Sequence, residues 1–312
     1  MKLLVPTMGF LGSGVAVVLT QISVAMLTLL YCKCYHPHHP GTWVGLDVLW
    51  GEALEVERMK EFFRLSLGGV LSLSEWWFWE SSCFIAGTLG IVPLCIHSIV
   101  YQLVPICFMI PLGLSIGLTV RMASIIETDV QRAKRIAVYS ITLTMSMAVI
   151  VSLCVYNFRP FIVGLFTKDE EVHEGCKEIW PYVCVYIVLL NIHGMNQGII
   201  RALGLQLRMA FVTIMTLWCI SLPLIYYLIV KQNGGLNLLW RLLPITYVFL
   251  EINMCLCYVF SDWHELANAA AKKRRQSEDT IRSFSDTVVE SLTERSGLLF
   301  PGYLNLKYTE SM

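Results

Sequence analysis

Charge is scarce in this 312-residue chain. Asp, Glu, Lys and Arg make up 15% of it, the formal net charge is zero and the mean hydropathy is +0.62. Such a chain is too apolar for an ordinary soluble domain. With no net charge there is no global field to draw in nucleic acid, and none is expected as a partner. Metal-ligand spacing is missing as well. Most of the 11 cysteines, among them Cys83, Cys95, Cys107, Cys154, Cys184, Cys219, Cys255 and Cys257, lie inside apolar runs and act there as small hydrophobes. Cys32-x-Cys34 and Cys255-x-Cys257 are wrongly spaced for zinc, and no second pair stands near either. At a membrane edge Cys32 or Cys34 is at most a weak palmitoylation signal. His36, His38 and His39 sit with Pro37 and Pro40, without an adjacent acid or Cys, and read as a solvated loop. No metal, no cofactor and no enzyme activity are expected. The start shows no cleavable-signal pattern either: Lys2 precedes an apolar run too long for one.

What is there is a succession of long apolar runs, with the polar residues collected in loops and a tail. The pattern is that of an all-α polytopic membrane protein with about seven transmembrane helices. The expected spans are Leu3–Tyr31, Phe62–Gly90, Ile91–Leu118, Ile136–Tyr156, Glu178–Ile200, Met209–Val230 and Arg241–Phe260. The expected division is 1–61, a first helix and loop; 62–261, a six-helix lobe; and 262–312, a polar tail. Gly9, Gly12 and Gly14 with Ser13 and Ala16 give the first span a small-residue face suited to close packing. Pro105 and Pro111 predict a bend in the third span, tolerable where neighbouring helices satisfy the freed carbonyls. Asp169, Glu170, Glu171 and Glu174 read as a solvated surface. Lys33, Arg58, Lys60 and Arg64, then Arg121, Arg132, Lys134 and Arg135, then Arg201 and Arg208, and finally Lys272 to Arg275 all fall on one side. The other side has Lys2, Arg159, Lys168, Lys177, Lys231 and Arg241. The richer side should face the cytoplasm, which puts the N-terminus outside and the tail inside, with the plasma membrane the expected location.

One stretch carries chemistry. Ser66–Gly90 reads SLGGVLSLSEWWFWESSCFIAGTLG, apolar enough to span a bilayer yet holding Glu75 and Glu80. A charge at bilayer depth costs roughly 2.5 kcal/mol or more, so such acids face a bundle interior or a watery cavity. Trp76, Trp77, Phe78 and Trp79 lie between them, and acid plus aromatic wall suits a cation or a proton. Five positions apart, the two acids lie roughly 140° apart around a helix. One is expected in the cavity, the other braced within the lobe by a polar neighbour. Glu251 is an acid in the last span in a less specific setting, equally compatible with cavity, packing or rim. A seven-span receptor is excluded by the TVRMAS end of the third span, which has no Asp-Arg-Tyr-type motif, and by the absence of Asn-Pro-x-x-Tyr from the last. A channel is disfavoured because neither a repeated filter loop nor a ring of like charge is apparent. Isolated acids, bent helices and mid-span polar residues fit a transporter better.

The segment SEWWFWESSCFIAGTLG carries an E-W-W-x-x-E pattern that resembles the seventh span of the multidrug and toxin extrusion (MATE) family, in its animal and eukaryotic branch. IHSIVYQLVPICFMIPLGLSIGLTVRM resembles the eighth span, and Asp129, Gln131, Ala133 and Lys134 the loop after it. NQGIIRALGLQLRMAFVTIMTLWCISLPLIYYL resembles the junction of the tenth and eleventh spans, with Arg201, Gly204 and Pro223 in family places. The first span, with TQISVAMLTLLY, resembles the sixth, so the likeness covers roughly residues 3–262. The fold it implies is two six-helix lobes about a central cavity. This chain would hold the C-terminal lobe plus one preceding helix, without the first five. A partial reading of a longer gene, or an isoform, is the favoured explanation; the other is a chain that pairs with something.

The activity that the resemblance implies is antiport of small organic cations or xenobiotics against protons, in preference to sodium, across a lipid bilayer. Glu75 and Glu80 map onto the two acids of the pattern, Trp76 and Trp79 flank them, and Tyr101 is a hydroxyl partner for a cavity acid. In two places the chain departs from the family. Many animal members carry an acid after Ser-Ile-Val-Tyr, where this chain has Gln102, and another eleven residues before the junction arginine, where it has Leu190 beside Asn191. Gln102 cannot ionise, so the cavity should be less acidic, with Asn191 and His193 as replacement polar contacts and neutral or weakly basic substrates more plausible. The alternative, from another class, is a non-transporting membrane subunit or regulatory half-transporter.

Overall fold

The computed structural model describes residues 4–35, 56–272 and 275–276. The histidine loop, most of the Lys272–Arg275 run and the tail lie outside the described residues. Every regular element among the described residues is helical: α1 (Leu4–Tyr35), α2 (Val56–Ser72), α3 (Ser74–Thr88), α4 (Ile91–Ile125), α5 (Val130–Asn157), α6 (Arg159–Phe166), α7 (Glu170–Ala202), α8 (Gln206–Lys231) and α9 (Gly235–Val259). A further helix covers 263–272. The all-helical polytopic reading holds. Six of these helices are long and apolar enough to cross a membrane.

The expected span at Phe62–Gly90 is where the structure departs from the sequence reading. It is broken at Leu73 into α2 and α3, and α3 alone, at 15 residues, is shorter than a bilayer requires. At the break the Leu73 amide donates to the Val70 carbonyl and the Trp76 amide to that of Leu73, turns of the tighter three-residue kind. Gly68-Gly69 and the serines at 72 and 74 supply little helix propensity to resist it. The connection at 157–177, expected as a loop, contains the short helix α6, started by Pro160 in its first turn.

Contacts divide the chain into Met1–Leu65 and Ser66–Met312. In the first unit, α1 satisfies its own hydroxyls: Thr20, Ser23 and Thr28 each donate to the carbonyl four residues back. An apolar medium favours this, because it offers no water for them.

In the second unit α7 is the core element. Its most apolar window is 72% buried, against 17% for α5, so the other helices pack around it. Gly194 and Gly198 give α7 a Gly-x-x-x-Gly face, and α4 lies directly on it. A Cβ at Gly198 would stand 2.9 Å from the Ser115 carbonyl oxygen, and one at Gly194 would stand 2.9 Å from the Phe108 ring. Thr119 Oγ1 donates across this contact to the Gly198 carbonyl at 3.0 Å. Two glycines with positive φ turn the chain at the helix ends. Gly90, at φ 120°, allows the reversal from α3 into α4. Gly204, at φ 72°, closes α7: its amide donates to Arg201 and the Leu205 amide to Ile200, the Schellman pairing. α8 is unusual in containing two π-helical stretches, Ile214–Ser221 and Tyr227–Lys231.

Candidate functional site

The site grows out of three helix faces. On α7, His193, Gln197 and Arg201 recur every four residues, so they stack along one side with roughly 40° between neighbours. On α9, Tyr247, Glu251, Cys255 and Tyr258, spaced by four, four and three, share one side likewise. On α3, Glu75 stands in the first turn and points at both.

Glu75 is the hub. Its Oε1 accepts from the Tyr247 hydroxyl at 2.7 Å. Its Oε2 lies 2.7 Å from His193 Nε2 and accepts from Gln197 Nε2 at 3.0 Å. The other ring nitrogen of His193, Nδ1, is hydrogen-bonded to Glu251 Oε1. Asn196 Nδ2 donates to Glu251 Oε2 at 2.6 Å, and the Tyr258 hydroxyl donates to Asn196 Oδ1 at 2.9 Å. The His193 side chain is 1% exposed and those of Glu75 and Glu251 are 9% exposed, so protein groups and not bulk water must satisfy them. One imidazole thus sits between two buried carboxylates.

Glu75 also opens onto a cavity of about 220 Å³. Trp76, Trp79, Tyr101 and Phe108 supply its aromatic wall, and Gln197 and Arg201 its remaining polar groups. Trp76 meets Phe108 edge-on at 6.3 Å. Trp79 meets Tyr101 at 6.1 Å and Tyr186 at 5.0 Å, and Tyr186 in turn packs edge-on against Tyr247 at 4.7 Å. The aromatic wall therefore continues from the cavity to the hydroxyl that holds Glu75. Arg201 Nη2 donates to Ser115 Oγ at 2.8 Å, which pins the guanidinium at the cavity edge.

The residues singled out in the sequence separate into two sets. Glu75, Trp76, Trp79 and Tyr101 share the cavity. Glu80 does not line it; it is exposed, and accepts from the Tyr101 hydroxyl at 2.5 Å. The helical arithmetic that separates the two acids is visible here, with Glu75 turned inward and Glu80 turned away. Gln102 is exposed and does not line the cavity. Asn191 is buried, but its amide donates to the Ile187 carbonyl of its own helix at 2.6 Å, on the side of α7 opposite His193. Leu190 does line the cavity, so the position where family members carry an acid is a cavity position filled here by a hydrocarbon. Tyr247, Asn196 and Tyr258 were not singled out as site residues; the recurrence of polar residues at three- and four-residue spacing on α7 and α9 was the signal available.

Among the described residues, no cluster of His, Cys, Asp and Glu is arranged to hold a metal ion. His193 and its two acids form hydrogen-bond contacts, a geometry suited to holding and passing protons.

Comparison with known proteins gives a consistent picture. The MatE family model matches residues 69–227, half of the chain. Multidrug and toxin extrusion protein 1 of Oryctolagus cuniculus is 28% identical over 257 residues, which are 81% of this chain and 43% of that protein. Multidrug and toxin extrusion protein 2 of Homo sapiens is 29% identical over 281 residues, 89% of this chain and 45% of that one. The chain spans less than half the length of these curated relatives. In fold it is similar to the crystal structure of the eukaryotic MATE transporter AtDTX14, with a TM-score of 0.70 at 19% identity over 86% of this chain and 60% of that one.

Proposed function

The chain belongs to the MatE family, and from that premise we propose that it works in a secondary antiporter that moves small organic cations or drug-like compounds across a membrane in exchange for protons. The observation that carries this reading is a buried carboxylate, Glu75, opening onto a cavity whose aromatic wall is Trp76, Trp79, Tyr101 and Phe108. An organic cation has two needs in such a place. Its charge needs a counter-ion, which Glu75 provides, and its apolar body needs a surface, which the rings provide. Each well-placed ring adds about 0.5–2 kcal/mol to a cation's binding. A proton and a cation compete for the one pocket acid, and that competition couples their fluxes.

Protons suit the site better than sodium. An imidazole shares the acid, and imidazole is a proton carrier that takes no part in sodium coordination. Leu190 and the outward-turned Gln102 leave Glu75 as the carboxylate on the cavity wall, so the site favours singly charged or weakly basic substrates over dications. With α2 and α3 together counted as one crossing, the distribution of Lys and Arg supports an N-terminus outside and a tail in the cytoplasm.

The test is flux in vesicles that carry a pH gradient and a fluorescent organic cation. Glu75→Gln in the full-length protein is expected to abolish pH-dependent flux. Flux that keeps its pH dependence would refute the role given to Glu75. A second reading is a regulatory half-transporter, a membrane protein that binds the cation without moving it. Vesicles holding this chain alone separate the two: flux supports the antiporter, whereas cation binding without flux supports the half-transporter.

A further inference from the structure

The antiport reading uses Glu75 and leaves Glu251 without a task. Glu251 does not line the cavity; it is buried one imidazole behind it. We propose that Glu251 is a second proton-holding carboxylate, wired to Glu75 through His193, and that a cation arriving at Glu75 drives a proton across the imidazole to Glu251. The inference rests on the reading of Glu75 as the cation's counter-ion.

Proton counting leads to it. Two contacts join the ring nitrogens to carboxylate oxygens, and each needs one hydrogen between its heavy atoms. Two protons, one in each contact, have three arrangements that keep at least one of them on the ring; the fourth would make the ring an imidazolate, which is far too basic to persist. Both can sit on the ring, giving an imidazolium between two carboxylates. One can sit on Glu75 Oε2 and the other on Nδ1. Or one can sit on Nε2 and the other on Glu251 Oε1. All three carry the same net charge of minus one. They interconvert by shifts within existing hydrogen bonds: as one O–H or N–H bond breaks, another forms at the facing atom. In the last arrangement Glu75 is a full carboxylate beside a neutral ring, and Glu251 is a neutral acid.

A cation in the cavity selects among the three. It is attracted by ionised Glu75 and repelled by an imidazolium beside it, so it favours the arrangement with the proton parked on Glu251. The groups around the ring leave this choice to the trio. From α9 come Glu251 and Tyr247, from α3 comes Glu75, and on α7 itself Gln197 Nε2 lies 2.7 Å from Nε2 of the ring. On the glycine face of α7, α4 packs Phe108 and Pro111 against Gly194 and Ser115 against Gly198. Arg201, about two turns along α7, donates to Ser115 Oγ. Behind Glu251 the Asn196 amide and the Tyr258 hydroxyl continue the hydrogen-bonded line, which gives the parked proton polar surroundings on the side away from the cavity.

Infrared difference spectroscopy of the full chain in lipid nanodiscs, with and without tetrapropylammonium, tests this. Trp fluorescence serves as the parallel binding readout, since Trp76 and Trp79 line the cavity. In the unaltered protein a carboxylic-acid C=O band is expected to appear on cation binding. Glu251→Gln should lose that band, Glu251→Asp should shift it and Glu80→Gln should leave it unchanged. His193→Phe should lose it by cutting the path while leaving Glu251 in place. If the cation binds and no acid band appears, or if the band survives Glu251→Gln, the relay is wrong while the role of Glu75 stands. If Glu75→Gln binds the cation as well as the unaltered protein does, the underlying site assignment fails instead.

Discussion

Replacing Leu190 by glutamate should tighten cation binding about tenfold. Leu190 lines the same cavity as Glu75 and lies on α7 seven residues before Gln197, which donates to Glu75. Seven residues are about 10 Å of helix and nearly two full turns, so both positions share the cavity side. A glutamate side chain reaches part of that distance, leaving its carboxylate roughly 7 Å from a cation held at Glu75. At an effective dielectric of about 20, two unit charges at that separation attract by about 2.4 kcal/mol. Desolvating the new carboxylate offsets part of this, and a remainder of about 1.4 kcal/mol corresponds to the tenfold gain. The assay is Trp fluorescence titration with tetrapropylammonium in nanodiscs at neutral pH. Leu190→Gln serves as the uncharged control of similar size. A folded Leu190→Glu protein that binds no tighter than Leu190→Gln would overturn the placement of the cation beside Glu75.

Two further expectations concern the scaffold. Gly198→Leu should destabilise the lobe by about 1–3 kcal/mol, because its Cβ would collide with backbone at Ser115 and not with a side chain that can swing away; a thermal melt in detergent unchanged from the parent would contradict the close approach of α4 and α7. Asp262 caps helix 263–272 by accepting from the His264 and Glu265 amides at 2.8 and 3.3 Å, and these two amides hold its carboxyl below the ordinary carboxylate range. The sign follows from that depression: the cap's contribution is complete above the ordinary aspartate value of about 3.9 and is lost as pH falls through the lower folded value. Amide exchange at His264 and Glu265 should accelerate over that acidic interval, and in Asp262→Ala it should be fast at every pH.

The apolar runs made most of the helices legible, since a segment that must bury its backbone in lipid announces itself by composition. The break at Leu73 was not legible in that way. Hydropathy averages over a window, and a one-residue interruption between SLGGVLS and SEWWFWE leaves the mean unchanged. The opposite facing of Glu75 and Glu80 was available from helical geometry alone. The partnership of Glu75, His193 and Glu251 was not, because tertiary packing creates it. Glu75 stands out in its own segment, but His193 is one histidine in a polar half-span and Glu251 one acid in a greasy one. The choice of Asn191 over Asn196 as the polar contact shows the limit well. The two lie on the same helix, but 191 falls on the far side from His193 while 196 falls on the near side, and only the position of the facing helix decides which one matters.

The three ionisable side chains that meet at His193 have a consequence for biogenesis. In the sequence the imidazole partner comes 118 positions after Glu75, and Glu251 a further 58 positions on. During synthesis the earliest acid therefore enters the bilayer alone, at an insertion penalty of roughly 2.5–3.5 kcal/mol. It must wait for α7 to leave the ribosome before it meets His193 and Gln197, and for α9 before it meets Tyr247. Only when α9 arrives does the Tyr247 hydroxyl reach Glu75, so the final helix completes the hydrogen bonding of the earliest acid and latches the lobe together.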